Sequence, residues 1–157
     1  MKKAVLFKTL IDIIFYLYVI GLIAILLKSP FNFTKETNLE QPNFLYWLIL
    51  AIDGICYFIF LRGLYFLRKM ARIFLSEKYF TKTVAISMQS SGNQFVYAGL
   101  LSILGWTLGL IFNIAIDPSN TLRIIPLFII IIGLFFTIQS RALLSAIEIK
   151  NENDLTV

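Results

Sequence analysis

The sequence predicts an all-α polytopic membrane protein with four transmembrane helices and a cytoplasmic helical hairpin that extends helices 2 and 3. The first observation is that 59% of the 157 residues are hydrophobic, whereas a soluble domain has about 45–50%. The second is that these residues form runs long enough for a helix to cross about 30 Å of hydrocarbon. The third is a long basic break in the middle of the chain. The runs span residues 9–27, 44–61, 95–116 and 124–140, and the break spans residues 62–94.

The distribution of positive charge predicts the orientation of the chain. Eleven of the 14 Lys and Arg residues lie in the N-terminus, the central break or the C-terminal tail, and three lie in the other loops. Since Lys and Arg accumulate on the cytoplasmic side of membrane proteins, both termini and the break are predicted to be cytoplasmic. We expect residues 1–157 to form one integral membrane domain, with the lipid bilayer as its first partner.

The first apolar run is predicted to be an uncleaved helix. It is longer than the apolar part of a signal peptide, which has about 7–15 residues, and no small-residue cleavage site follows it. Residues 28–43 contain two basic residues, two acidic residues and two prolines. They are predicted to form a polar loop on the outer side.

Residues 62–94 are predicted to form the cytoplasmic hairpin. Apolar residues continue past the second span at spacings of three and four, which is typical of an amphipathic helix. Thr81 is a candidate N-cap for the third helix. The candidate partner-binding residues are Arg68, Lys69, Arg72, Lys78 and Lys82, together with Asp154 and Leu155 of the acidic tail, residues 141–157.

A stripe of small residues marks one face of the third span. Ser102, Gly105 and Gly109 recur at spacings of three and four, so they lie on one side of a helix. Small residues let a neighbouring helix approach closely, and Gly105 with Gly109 forms a GxxxG pair. The stripe predicts either packing within the monomer or the seam of a homodimer.

Asp53 lies near the middle of the second span, where an ionised side chain costs at least about 2.5 kcal/mol. Tyr18 and Thr107 are predicted at a similar depth, so the three residues form a candidate intramembrane polar site. One interpretation is a proton or cation site. The other is a protonated carboxylic acid that is hydrogen-bonded between helices.

Asp12 is expected to have a structural role. It lies about one turn inside the first span, at the predicted height of Arg62 and Arg141, and one turn from Lys8. An ion pair whose long side chain reaches toward the membrane surface is the expected arrangement.

Composition excludes several classes of site. The chain has no histidine and a single cysteine, Cys56, so His-based catalysis and His or thiolate metal sites are not expected. It also lacks a glycine-rich phosphate loop and paired catalytic carboxylates. We therefore expect no enzyme activity, no cofactor and no metal. Direct nucleic-acid binding is not expected either, because the positive charges flank apolar runs and no aromatic platform accompanies them.

Two segments of the chain resemble a known family. The central stretch has a helix, a short turn that ends in Phe80 and Thr81, and a helix that leads into the third span, and the chain ends in ENDLTV. Both are similar to features of the bacterial membrane family catalogued as domain of unknown function 2975 (DUF2975), over nearly the full length. The glycine that usually precedes the Phe-Thr pair is replaced here by residues 77–79. The resemblance implies a protein of the bacterial cytoplasmic (inner) membrane. Because members are often encoded beside a very small helix-turn-helix regulator, it also implies a transcription factor as partner.

Two functions remain open at this point. The first is a non-enzymatic membrane partner or sensor that binds a small cytoplasmic helix-turn-helix regulator through the basic hairpin and the acidic tail. The second is a small proton-coupled transporter or exporter subunit that uses Asp53. The tail is also predicted to dock reversibly on Arg68, Lys69 and Arg72, because exposed ion pairs contribute only about 0.2–1 kcal/mol each.

Overall fold

The computed structural model describes residues 2–36, 44–75, 81–112 and 124–155, and these form four long helices. α1 spans Lys2–Glu36, α2 spans Phe44–Leu75, α3 spans Lys82–Ile111 and α4 spans Ile124–Leu155. The all-α fold class is confirmed. The turn that contains Lys78, most of the predicted outer loops and the last residues of the predicted third span lie outside the described residues.

Three of the helices are long and apolar enough to cross a membrane. The segments are Val5–Ala24, Lys82–Ile111 and Ile124–Asn153. Helices of this length and composition confirm that the chain is a membrane protein. The fourth predicted span, on α2, stays a prediction.

Two helices run further than the sequence predicts. α1 continues to Glu36, into a segment for which the sequence predicts a polar loop. α4 continues to Leu155 through the polar tail, where residues 151–153 are exposed. A helix need not end where it leaves the apolar phase, because its backbone hydrogen bonds are internal and its polar side chains can face water. Hydrophobicity therefore marks the limits of a span and not those of the helix that carries it.

The helices pack in chain order. α1 packs on α2, α2 on α3 and α3 on α4. Within the described residues, α1 and α4 each approach the backbone of one neighbour only. The described backbones of α1 and α4 therefore lie apart.

Most of the buried apolar side chains form one cluster, which lies mainly between α2 and α3. The cluster consists of Leu64, Leu67, Met70 and Ala71 of α2, Val84 and Phe95 of α3, and Ile11 of α1. By contrast, many large apolar side chains of α1 and α4 are exposed. An exposed apolar surface of this kind is stable against lipid, whereas a segment in water needs a buried core.

Thr81 is the N-cap of α3, as the sequence predicts. Its backbone is extended, with φ −123° and ψ 142°. Its carbonyl oxygen accepts a hydrogen bond from the N–H of Val84 at 3.0 Å. The first turn of α3 therefore begins at Lys82, two residues before the buried residue Val84.

Candidate functional site

One exposed side of α2 is basic over the segment that the sequence predicts to belong to the hairpin. Arg62, Lys69 and Arg72 are exposed, and spacings of seven and three residues place them on one face of the helix. Arg62 lies over the ring of Phe66, 6.0 Å from its centroid. Within the described part of the chain, none of the three cations makes an ion pair. These three residues are named the basic face below.

The structure describes the other predicted partner-binding residues only in part. Lys82 is exposed at the first position of α3. Lys78 lies outside the described residues. Asp154 and Leu155 are the last two positions of α4, and their side chains lie outside the described set. Docking of the tail on the hairpin stays a prediction.

Arg68 does not belong to the basic face, because it turns toward α1. Its Nε donates a hydrogen bond to Asp12 Oδ1, and its Nη2 donates one to the Tyr16 hydroxyl at 2.8 Å. The guanidinium carbon lies 5.0 and 4.9 Å from the ring centroids of Phe15 and Tyr16. A residue six positions beyond Arg62 lies on a different side of the helix, which explains the difference. Arg68 therefore joins α1 to α2, and its role in partner binding stays a prediction.

The charge of Arg68 is compensated in a partly buried site. Hydrogen bonds with Tyr16 and Asp12 raise the pKa of Arg68, so the guanidinium stays protonated. Its side chain is 16% exposed and that of Asp12 is 20% exposed. Lys8 lies 3.8 Å from the second carboxylate oxygen of Asp12. Asp12 therefore lies beside Lys8, as the sequence predicts. The arginine that pairs with Asp12 is Arg68, whereas the sequence placed Arg62 and Arg141 at its height.

Aromatic rings link all four helices. Tyr18 of α1 stacks on Tyr57 of α2 with centroids 4.1 Å apart, and the Tyr57 hydroxyl donates to the Tyr18 carbonyl oxygen at 2.8 Å. The row continues from Tyr18 to Phe60 at 4.7 Å, to Phe95 at 5.1 Å and to Phe136 at 6.2 Å. Aromatic pairs contribute about 0.5–1.5 kcal/mol beyond the area that they bury. The row therefore connects α1 to α4, whose backbones lie apart.

The predicted polar site around Asp53 is not one group of three residues. Tyr18 lies against α2, whereas Thr107 is exposed and donates to the carbonyl oxygen of Leu104 in its own helix at 2.9 Å. α1 and α3, which carry Tyr18 and Thr107, are not neighbours in the described part of the chain. Asp53 is exposed beside α3, and a Cβ placed on Gly105 would lie 3.7 Å from its Oδ1. No group of three His, Cys, Asp or Glu residues among those described could hold a metal.

A cleft of about 270 Å³ opens between the helices beside the aromatic row. Its walls are mainly apolar, with the hydroxyl-bearing Ser102 on α3. Cys56 donates a hydrogen bond from Sγ to the Ala98 carbonyl oxygen at 3.1 Å. The lining residues are Tyr18 of α1, Cys56 and Phe60 of α2, Ala98 and Ser102 of α3, and Ile125, Pro126 and Ile129 of α4.

Within the small-residue stripe of α3, Gly105 faces α2. Gly105 and Gly109 are buried and Ser102 is half-buried. A Cβ on Gly105 would meet Ile52 Cγ2 at 3.1 Å. Gly105 thus packs within the monomer, and the homodimer stays a prediction.

α3 and α4 approach each other through glycines that the sequence analysis did not select. A Cβ on Gly92 would lie 2.6 Å from the Gly133 carbonyl oxygen, and one on Gly133 would lie 2.7 Å from the Gly92 carbonyl oxygen. A Cβ on Gly99 would lie 2.8 Å from the Pro126 carbonyl oxygen. Gly92 and Gly99 are seven residues apart and so share a face. That spacing could have been used to predict a close helix contact on this face of α3. Gly133 is the one glycine of its apolar run, so no spacing pointed to its contact with α3.

Comparison with known proteins identifies the family of the chain. Residues 29–157 match the family described as protein of unknown function DUF2975. The match includes α2, α3, α4 and the end of α1, and therefore both segments on which the resemblance rests. Searches of curated proteins and of solved structures gave no match. The chain therefore belongs to the DUF2975 family.

Proposed function

We propose that the chain is a non-enzymatic protein of the bacterial cytoplasmic membrane that binds a small cytoplasmic helix-turn-helix regulator. The observation that carries this proposal is the basic face. Arg62, Lys69 and Arg72 are exposed on one side of α2 and make no ion pair within the described residues. Such a surface is complementary to an acidic patch on a soluble protein. The acidic tail, residues 141–157, is the second part of the proposed surface.

The hairpin gives the basic face a fixed geometry. Met70 and Ala71 are buried on the other side of α2, and Val84 and Ala85 of α3 are fully buried. A core shared by the two helices keeps the three charges at constant spacing, and preorganisation of this kind lowers the entropic cost of binding. Anionic lipid also attracts Lys and Arg, at about 1 kcal/mol each, but it needs no fixed spacing. The fixed spacing therefore supports a protein partner.

The proposal places α2 across the membrane as the fourth span, with both termini in the cytoplasm. α2 packs on α1 and on α3, and each of these helices is long and apolar enough to cross. A helix that packs between two membrane-spanning helices lies in the bilayer over the length of those contacts. Residues 62–94 then lie on the cytoplasmic side, which the excess of Lys and Arg favours.

Cysteine labelling tests this topology. In a Cys56→Ser background, we expect Lys69→Cys and Asn151→Cys to react with a membrane-impermeant maleimide only from the cytoplasmic side. Asn38→Cys is expected to react only from the outside. Intact spheroplasts and inverted vesicles present the two sides separately. Labelling of Lys69→Cys in intact spheroplasts would contradict the orientation.

Photo-crosslinking tests the partner. With a benzophenone amino acid at position 69, we expect native membranes to yield a crosslink to a helix-turn-helix protein, identified by mass spectrometry. The same group at Phe58, which is exposed on the same side of α2 within the predicted span, should capture lipid only. Charge reversal by Arg62→Glu with Arg72→Glu should reduce the protein crosslink by about tenfold or more, because like charges oppose docking. Recovery of only lipid and self-contacts from position 69 would refute the proposal.

A further inference from the structure

We propose that the cleft between the four helices binds a quinone, a neutral membrane-soluble molecule with a flat ring and carbonyl oxygens. The hydroxyl groups of Tyr18 and Ser102 donate hydrogen bonds to those oxygens. This site lies apart from the basic face and does not depend on the proposed regulator. It is inferred from the volume of the cleft, its aromatic wall and the two hydroxyl groups of the residues that line it.

Two hydroxyl groups at the cleft have no acceptor among the described residues. Tyr18 and Ser102 both line the cleft. The hydrogen bond that joins Tyr18 to Tyr57 uses the Tyr18 carbonyl oxygen and leaves its hydroxyl free. Ser102 makes no side-chain hydrogen bond within the described part of the chain. A hydroxyl group without a partner is unfavourable in apolar surroundings, so an occupant that supplies acceptor oxygens stabilises both.

The position of Cys56 explains why Ser102 lacks its usual partner. A serine within a helix can donate to the carbonyl oxygen four residues earlier, which here belongs to Ala98. That oxygen also accepts the backbone N–H of Ser102 in the helix, and Cys56 Sγ donates to it at 3.1 Å. Because a carbonyl oxygen has two lone pairs, both are then in use. The Ser102 hydroxyl is left for a ligand.

The cleft suits a single ring. Its volume of about 270 Å³ is just below the range of about 300–1,000 Å³ that is typical of ligand pockets. Tyr18 and Phe60 both line it, with their ring centroids 4.7 Å apart, and aromatic faces pack well on other flat rings. Ile125 and Ile129 of α4 add apolar surface. A ring that carries carbonyl oxygens therefore matches both the apolar and the polar parts of the lining.

The lipids of the bilayer do not supply acceptors at this depth. An acyl chain has none, and the ester carbonyls lie at the edge of the hydrocarbon, about 15 Å from its centre. Tyr18 and Ser102 lie at least seven residues inside the ends of the apolar runs 9–27 and 95–116, or about 10 Å along a helix. The apolar tail of a quinone can lie on Leu17 and Phe128, which are exposed and precede two lining residues.

Cys56 reports whether the cleft is occupied, because the one cysteine of the chain lines it. The full-length protein in lipid nanodiscs is incubated with decylubiquinone, whose ring has no free position to which a thiol can add. The control compound is dodecylbenzene, which has a ring and a tail but no carbonyl oxygen. The rate at which N-ethylmaleimide labels Cys56 is measured by intact-mass spectrometry. We expect decylubiquinone at about ten times its Kd to slow labelling about tenfold, since the fraction of empty sites falls in that proportion. Dodecylbenzene should have little effect.

Variants test the two donors. Ser102→Ala and Tyr18→Phe each remove one hydroxyl group and keep the apolar walls. Each should raise the concentration of decylubiquinone that halves the labelling rate by about two- to tenfold, which is the contribution of one neutral hydrogen bond. Thr107→Val and Tyr97→Phe are the matched controls, because both residues are exposed and neither lines the cleft. They should leave that concentration unchanged, with circular dichroism and thermal unfolding as the check that each variant is folded.

Four results would overturn the proposal. Equal protection by the two compounds in the wild type would identify the cleft as an apolar groove that lipid fills. Protection by neither compound would show that the cleft holds no quinone. Unchanged protection in both folded donor variants would show that the hydroxyl groups do not bind the ligand. Failure of N-ethylmaleimide to label the folded wild type without a quinone would show that the cleft is closed.

Discussion

Replacement of Gly133 by leucine is expected to separate α3 from α4 and to lower the free energy of unfolding by about 3 kcal/mol. A Cβ at this position would lie 2.7 Å from the Gly92 carbonyl oxygen and 2.9 Å from the Val96 backbone nitrogen. Because both atoms belong to the backbone, no change of rotamer relieves the contact, and the helices themselves must move. The measurement is reversible unfolding of the purified protein in mixed micelles, followed by circular dichroism.

Gly54 provides the matched control for this experiment. It is also a glycine within a long helix, but a Cβ added there would have nothing within 4 Å. Gly54→Leu is therefore expected to leave the unfolding free energy unchanged or to raise it slightly, since glycine disfavours the helix by about 0.8–1.0 kcal/mol relative to alanine. Equal destabilisation by the two substitutions would show that the α3–α4 contact is not responsible for the effect.

Arg68→Ala is expected to lower the free energy of unfolding by about 2 kcal/mol. Removal of one partner from a fully buried ion pair costs about 3–5 kcal/mol, and the Arg68–Asp12 pair is partly exposed, so the effect should be smaller. The substitution also removes the contacts of the guanidinium with the Phe15 and Tyr16 rings. α1 should then become more accessible to protease, because within the described residues its backbone approaches that of α2 alone.

A double-mutant cycle isolates the pair itself. We expect Arg68→Ala and Asp12→Ala to be non-additive, with a coupling free energy of about 1–2 kcal/mol. Lys69→Ala, one residue further along α2 and exposed, should change stability by less than about 0.5 kcal/mol. Additive effects at positions 68 and 12 would mean that their contact does not hold α1 in place.

The hairpin shows what periodicity can predict. Leu64, Leu67 and Met70 are buried on the face that their spacing indicates, and Thr81 begins α3. Both results follow from local rules. An amphipathic helix separates apolar from polar residues at a regular spacing, and the polar N-cap residue has a recognisable type.

The remaining contacts depend on which helix lies beside which. Inside the bilayer, residues that face lipid and residues that face another helix are both apolar, so the sequence around Gly133 does not show that α3 approaches there. The direction of Arg68 has a similar cause. Several Lys and Arg residues follow the apolar run of α2, and only the position of Asp12 and Tyr16 on α1 selects Arg68 among them.

Chain-order packing also bears on how the protein is made. Each helix finds its described neighbour in the helix that was synthesised immediately before it, so assembly does not have to wait for a distant segment to emerge. Topologies rich in local contacts fold quickly, and a nascent chain that packs as it emerges exposes its polar groups to lipid for a shorter time. On this basis Asp12 remains without its arginine only until α2 has been made, and α4 is added last to helices that are already packed.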